Sequence, residues 1–168
     1  MFKRLIIIPL LFVIAEAQSS EAVFTKPKQF SFGIGLEKVK LNLTSLCTSL
    51  KVKKITPITA PLANKTQEQI NCSGFMYGGK KRDVELVFQD DQLDIVWILF
   101  PKEEKQTFIT NFKALYGDPS MSLGYGDIFL QANAAIRNEP SEVLFASNRQ
   151  VKAMMNILKK QQAQLSKK

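Results

Sequence analysis

The densest group of carboxylates in the sequence comprises Asp90, Asp91 and Asp94. Closely spaced aspartates can bind calcium in an EF-hand loop, but that loop also needs glycine at its sixth position and glutamate at its twelfth. Counted from Asp90, these two positions hold Ile95 and Pro101. The sequence therefore predicts a polar hairpin turn at this point, and we expect neither a metal site nor a cofactor.

The sequence contains no histidine. A Ser-His-Asp or Cys-His catalytic site is therefore excluded, as is any metal site built on imidazole. A zinc site would have to combine Cys47 and Cys72 with carboxylates. Glu85 and Asp94 could form an acid–base pair, but strand alternation places both on an outer sheet face, where no pocket is implied. We expect no catalytic residue and keep an enzyme based on carboxylates or on a Ser–Lys pair as the third hypothesis.

Cys47 and Cys72 are the two cysteines of the chain. In an exported protein an isolated pair usually forms a disulfide bond. Closing a loop of about 25 residues would stabilise the fold by roughly 3 kcal/mol in the chain-entropy treatment. The sequence predicts this bridge, with two buried free thiols as the alternative.

Residues 1–17 have the pattern of a signal peptide. The basic residues Lys3 and Arg4 precede the apolar run Leu5–Ile14, and Ala15-Glu16-Ala17 supplies small residues at the two specificity positions of a cleavage site. The apolar run is too short to span roughly 30 Å of hydrocarbon. We expect cleavage after Ala17, with a retained membrane anchor as the alternative. We expect the exported protein in the periplasm, with secretion as the alternative.

The strand pattern is clearest between Ile70 and Phe100, where apolar and polar residues alternate on either side of Gly78-Gly79 and of the aspartate turn. This pattern predicts an antiparallel meander of three strands. In its second strand Val84, Leu86 and Phe88 share the core face. In its third strand, unbroken alternation assigns Leu93, Ile95, Trp97 and Leu99 to the core face and leaves Asp94, Val96, Ile98 and Phe100 on the other.

The outer face of this meander is more apolar than an exposed surface requires. If helices cover only the core face, four residues form a candidate partner surface: Val87, Val96, Ile98 and Phe100. The alternative is that a loop or the last helix covers them. That last helix, with Met154 and Met155 beside lysines, is the second candidate for a binding surface.

Apolar residues at three- and four-residue steps predict three helices: Leu36 to about Leu50, Pro101 to Gly117, and a last helix capped by Ser147 or Asn148. Further strands are expected at Phe30–Ile34, Lys51–Ile58, Asp127–Ile136 and Glu142–Ser147, with a loop at Met121–Gly126. The expected fold class is α+β, with an antiparallel sheet of about five or six strands and helices packed mainly on one face. Residues 18–29 form a flexible lead-in, 30–160 a single domain and 161–168 a polar tail.

Three motifs in Phe32–Val39, Val87–Val96 and Tyr116–Pro119 resemble small exported bacterial envelope domains. The resemblance is to the BamE/SmpA-like domains and to the similarly built β-lactamase-inhibitor-protein fold. It covers residues 30–120 and implies helices packed on an antiparallel sheet. It transfers no functional residue, and this chain lacks the lipoprotein cysteine that is typical of BamE-like proteins.

The chain carries a formal net charge of +8. This excess favours peripheral contact with anionic partners such as a membrane or the cell wall, with a solvated basic surface as the alternative. No motif of a nucleic-acid reader is present, so no nucleic-acid partner is expected. The leading hypothesis is a non-enzymatic periplasmic protein-binding or scaffold module that recognises another envelope protein. The alternative is a proteinaceous inhibitor of a secreted or periplasmic enzyme.

Overall fold

The computed structural model describes residues 24–165. The predicted signal peptide, residues 18–23 of the lead-in and residues 166–168 of the tail lie outside the described residues. Phe24 is buried and accepts a hydrogen bond at its carbonyl from the Tyr77 hydroxyl at 2.6 Å. The described part of the lead-in is therefore held against the sheet.

The described residues form one antiparallel sheet of eight strands together with three α-helices. The strands are Ser49–Lys54 (β1), Gln67–Tyr77 (β2), Lys80–Gln89 (β3), Gln92–Leu99 (β4), Met121–Leu123 (β5), Gly126–Phe129 (β6), Ala134–Arg137 (β7) and Glu142–Ala146 (β8). The helices are Leu36–Leu43 (α1), Lys105–Tyr116 (α2) and Asn148–Leu165 (α3). The strand order across the sheet is β1-β2-β3-β4-β8-β7-β6-β5. The α+β class with an antiparallel sheet is confirmed.

The expected count of five or six strands is too low. The stretch predicted as a loop contains β5, and the single strand predicted at Asp127–Ile136 is divided into β6 and β7. A short 3-10 turn at Leu130–Ala132 separates these two strands, followed by Asn133 with a φ of 49°. Asparagine tolerates this left-handed conformation better than most residues do. The chain can therefore reverse here and pair β6 with β7.

The central meander is confirmed as β2, β3 and β4. Both predicted turns have positive φ at their two central residues: 60° and 74° at Gly78-Gly79, and 51° and 59° at Asp90-Asp91. Such angles define the two-residue hairpin turn whose twist matches that of the flanking strands. The aspartate cluster therefore forms a turn, as predicted.

The two aspartates of that turn also hold other segments. The Asp90 carboxylate accepts hydrogen bonds from the backbone N–H groups of Asn64, Lys65 and Thr66, which lower the pKa of Asp90 well below its ordinary value. Asp91 Oδ1 accepts a hydrogen bond of 2.8 Å from the N–H of Leu36 and so satisfies the first turn of α1.

Helix α1 is shorter than predicted, because it ends at Leu43 rather than near Leu50. Four residues later, Cys47 bonds to Cys72 of β2, with 5.4 Å between their Cα atoms. The predicted disulfide is therefore present, and the chain must leave the helix to reach β2. The predicted strand at Phe30–Ile34 is not a strand of the sheet, although the N–H of Gly33 bonds to the carbonyl of Leu93 at 2.9 Å.

The main core lies on the sheet face covered by α1 and α2. Phe108 and Phe112 of α2 are buried there, and the Phe108 ring stacks on Phe100 with 4.0 Å between centroids. Helix α2 follows a 3-10 turn at Lys102–Glu104 and ends before Gly117, as predicted. Among the core residues that the sheet contributes to this face are Ile70, Cys72, Phe75, Tyr77, Val84, Leu86, Phe88, Leu93, Val143 and Phe145.

The predicted faces of β4 are wrong beyond Asp94. In the register of β3 with β4, Phe88 lies opposite Leu93 and Val87 opposite Ile95, so Asp94 is an extra residue without a partner on β3. Such a β-bulge reverses which side chains face the core. Val96, Ile98 and Phe100 are consequently core residues, whereas Ile95, Trp97 and Leu99 lie half-buried on the opposite face.

Candidate functional site

The bulge at Asp94 removes the candidate partner surface that the sequence predicted. Val96 and Ile98 have no exposed surface, and Phe100 and Val87 are also buried. These four residues therefore form no exposed apolar strip, and that prediction is wrong. The outer face of the sheet instead presents Trp97 of β4 and Leu144 of β8, which lie opposite each other in register.

An apolar groove lies between this outer face and helix α3. It encloses about 300 Å³. From α3 it is lined by side chains that include Val151, Met154, Met155, Ile157 and Leu158, and from the sheet by Trp97, Ile128, Ala135, Leu144 and Ala146. We call this space the α3 groove. The methionine pair, the second candidate surface in the sequence, therefore lines it.

The local sequence explains why the groove exists. Val151, Met154, Met155 and Leu158 recur at three- and four-residue steps and so share one face of α3. On the sheet side the lining includes the small side chains of Ala135 in β7 and Ala146 in β8. Small residues on the floor of the groove leave space that larger side chains would fill.

A buried polar network fixes the first turn of α3. The Ser147 hydroxyl accepts a hydrogen bond of 3.1 Å from the N–H of Gln150, which makes Ser147 the cap predicted as one of two alternatives. The same hydroxyl donates to the fully buried Asp94 carboxylate at 2.6 Å, and the Arg149 guanidinium also pairs with Asp94. Gln89 of β3 donates to the Gln150 side chain at 2.8 Å. This network positions α3 over the groove.

The same network shows that Glu85 and Asp94 do not form the acid–base pair considered from the sequence. Asp94 is enclosed by Ser147, Arg149 and Gln89, whereas Glu85 lies on β3 opposite Trp97. The structure does not bring the two carboxylates together as a pair. Asp94 instead holds the bulge of β4 and the start of α3, which is a structural role.

The lining of the α3 groove includes one charged side chain, that of the last residue of β7. Among the described residues that line it, Arg137 is the charged one. Its guanidinium lies over the ring of Trp97, 4.7 Å from the centroid, and pairs with Glu142 of β8. Burial raises the pKa of Glu142 to about 7; the charge of Arg137 opposes this rise and that of Glu85 adds to it. The arrangement offers a planar cation beside an apolar space.

Sequence reasoning did not identify Arg137 or Glu142 as functional candidates. The two residues lie in neighbouring strands, directly opposite in the register of β7 with β8. The sequence signal would have been the short connection between them, Asn138 to Ser141, once β7 and β8 were assigned as a hairpin. The sequence pattern alone does not show that Trp97 lies beside these two residues, because β4 precedes β8 by more than 40 residues.

A second cleft, of about 430 Å³, lies near the Gly78-Gly79 turn and is lined by Lys80, Lys81, Arg82 and Glu104 among others. Lys80 pairs with Glu104 at 3.0 Å, and the buried Arg82 pairs with the same carboxylate. Because Lys80 and Arg82 are already paired with Glu104, the cleft is a weaker candidate for a binding site than the α3 groove. Among the described residues, no group of three or more His, Cys, Asp or Glu could hold a metal ion.

Comparisons with known proteins found no match: no protein-family model, no curated protein and no solved structure is similar to this chain. The resemblance to BamE/SmpA-like domains and to the β-lactamase-inhibitor-protein fold therefore stays a prediction. The disulfide bond is typical of proteins in an oxidising, exported compartment. In the part of the chain that the structure describes, no helix is both long and apolar enough to cross a membrane.

Proposed function

We propose that this protein is a non-enzymatic, exported binding module of the cell envelope, located in the periplasm, and that its α3 groove holds an acyl chain. The observation that carries this proposal is the composition of the groove. Its lining is mostly apolar, with Arg137 and Asn133 as polar contributors. Ligand sites of this kind combine a mostly hydrophobic wall with a few placed polar groups.

The dimensions of the groove suit a single chain. A volume of about 300 Å³ lies at the lower end of the roughly 300–1,000 Å³ typical of ligand pockets, which suits a short chain. Burying an apolar chain in such a site contributes roughly 0.8 kcal/mol per methylene. The flexible thioethers of Met154 and Met155 can adapt to chains of different shape.

A partner protein of the envelope is the second candidate. Three apolar residues at the groove, Tyr125, Met154 and Ile157, are exposed by 54%, 37% and 42%. Their exposure favours contact with another molecule at the mouth of the groove. The scaffold and inhibitor hypotheses now depend on this surface, because the strip that first motivated them is buried. The net positive charge also supports peripheral contact with an anionic membrane or cell wall.

Trp97 provides the test, because it is the one tryptophan of the chain and lines the groove. Titration with decanol, a neutral ten-carbon chain, should change the Trp97 fluorescence in a saturable way. Ala135→Phe should fill the floor of the groove and abolish the change. Ala114→Phe, which places the same side chain at an exposed position of α2, should not alter it.

Folding of each variant is checked by circular dichroism and by the midpoint of urea unfolding. Absence of saturable decanol binding to the folded wild-type protein would overturn the acyl-chain proposal. Equal binding by Ala135→Phe would place the ligand outside the α3 groove. Capture of an envelope protein that is lost in Ala135→Phe, without decanol binding by the wild type, would favour the second candidate.

A further inference from the structure

We infer that the α3 groove selects a fatty acid, and that Arg137 binds its carboxylate while the acyl chain lies against α3. This inference rests on the proposed function and specifies its ligand. Arg137 is the charged residue among the described residues that line the groove, and as the last residue of β7 it offers one cationic group, which suits a ligand with a single polar head. A guanidinium has a planar set of donors that matches a carboxylate with two parallel hydrogen bonds.

The surroundings of Arg137 keep its guanidinium in place. The cation lies over the Trp97 ring, 4.7 Å from the centroid, and this attractive contact restrains the guanidinium. The side chain is 37% exposed, so an entering head group can reach it from solvent. Its Nη2 atom pairs with Glu142, whereas its Nε atom is buried without a hydrogen-bond partner and out of reach of a ligand.

Glu142 is the internal competitor for this cation. Its carboxylate pairs with Arg137 and is almost fully buried, which shows that the guanidinium already accommodates a carboxylate. Burial raises the pKa of Glu142 to about 7. Near neutral pH this residue is therefore partly protonated, and its hold on Arg137 is weaker than that of an ordinary glutamate. A ligand carboxylate can then share the guanidinium.

The charge of the covering helix supports an anionic ligand. Helix α3 carries Arg149, Lys152, Lys159 and Lys160 and no acidic residue. The three lysines are exposed. Together with the net charge of +8, they produce a positive field that attracts an anion and disfavours a cation. At long range this field favours a fatty acid over a cationic amphiphile, whereas close to Arg137 the charges of Glu142 and Glu85 act against the ligand carboxylate.

The test compares three ten-carbon probes by isothermal titration calorimetry: decanoate, decanol and decyltrimethylammonium. The wild-type protein should bind decanoate at least about tenfold more tightly than decanol, and decyltrimethylammonium most weakly. Arg137→Gln should bring decanoate and decanol to similar affinity, and Arg137→Lys should restore part of the preference. Lys152→Gln, which removes one exposed positive charge from α3, is the matched control and should leave most of the preference intact.

Glu142→Gln gives a result that a merely structural role for Arg137 would not produce. Removing the competing carboxylate should strengthen decanoate binding several-fold and leave decanol binding nearly unchanged. If Arg137→Gln does not fold, because it leaves the buried Glu142 unpaired, the double variant Arg137→Gln/Glu142→Gln removes both charges and should show no preference for decanoate.

The outcomes separate this inference from the proposed function. Equal wild-type affinity for decanoate and decanol would overturn the selection of a fatty acid and leave the acyl-chain groove standing. A decanoate preference that survives Arg137→Gln in a folded variant would overturn the assignment of Arg137. Absence of binding by all three probes would overturn the proposed function itself.

Discussion

Replacing Ile98 with alanine should destabilise the protein by about 3–4 kcal/mol. Ile98 has no exposed surface and lies between Val84 of β3 and Val143 of β8, which are also buried. The substitution removes three carbon groups, which at about 0.8 kcal/mol each account for about 2.4 kcal/mol. The cavity adds to this loss because strands flank Ile98 on both sides, and the total lies within the roughly 2–5 kcal/mol expected for such substitutions.

Ile95→Ala is the matched control, since it removes the same atoms from the same strand. Ile95 lies on the opposite face of β4 and is only partly buried. Ile95→Ala should lower the free energy of unfolding by about 1–2 kcal/mol, because part of the removed surface is already in contact with water. Urea unfolding followed by far-ultraviolet circular dichroism measures both changes in the free energy of unfolding.

The comparison tests the bulge at Asp94. Unbroken alternation along β4 would place Ile95 in the core and Ile98 outside it, and would reverse the order of the two losses. A larger loss for Ile95→Ala than for Ile98→Ala would therefore refute the register in which Asp94 is the extra residue.

Three further predictions address other parts of the fold. Asp91→Ala should cost about 1–2 kcal/mol in urea unfolding, because it removes the acceptor for the Leu36 N–H and places alanine at positive φ, whereas Asp91→Asn should cost less. Replacing Cys47 and Cys72 together by serine should cost roughly 3 kcal/mol, and labelling of the denatured, unreduced protein should find no free thiol; labelling of both would contradict the bridge. Burial raises the pKa of Glu142 from 4.5 to about 7, so the folded state binds more protons in that range and its stability should fall as the pH rises from about 4.5 to about 7. The decrease should be on the order of 3 kcal/mol, and a Glu142→Gln variant with the same decrease in urea-unfolding experiments would contradict this assignment.

The sequence alone determined the features that depend on neighbouring residues. Gly78-Gly79 and Asp90-Asp91 specified the two hairpin turns, because few residues adopt positive φ without strain. Pro101 and Gly117 marked the two ends of the α2 region, and the cap of α3 was narrowed to Ser147 or Asn148, of which the structure uses Ser147. The cysteine pair was also predictable, since it required only the count of cysteines and the expected compartment.

The length of α1 depends on tertiary contacts. Leu46 and Leu50 continue the helical spacing of apolar residues, yet α1 ends at Leu43. The bridge from Cys47 to Cys72 and the pairing of β1 with β2 stabilise a different conformation of this segment. Local spacing predicts what a segment favours by itself, and contacts with distant strands can override it.

The candidate groove also depends on tertiary contacts. Alternation predicted the faces of β4 correctly only up to Leu93, because the bulge that follows is stabilised by Asp94 pairing with Arg149, 55 residues later in the chain. The same contacts position α3 across the outer face and so enclose the groove beside Trp97 and Arg137. A period of two is a local property of a strand, whereas the residue at which that period is interrupted depends on charges and hydrogen bonds that only the folded chain brings together.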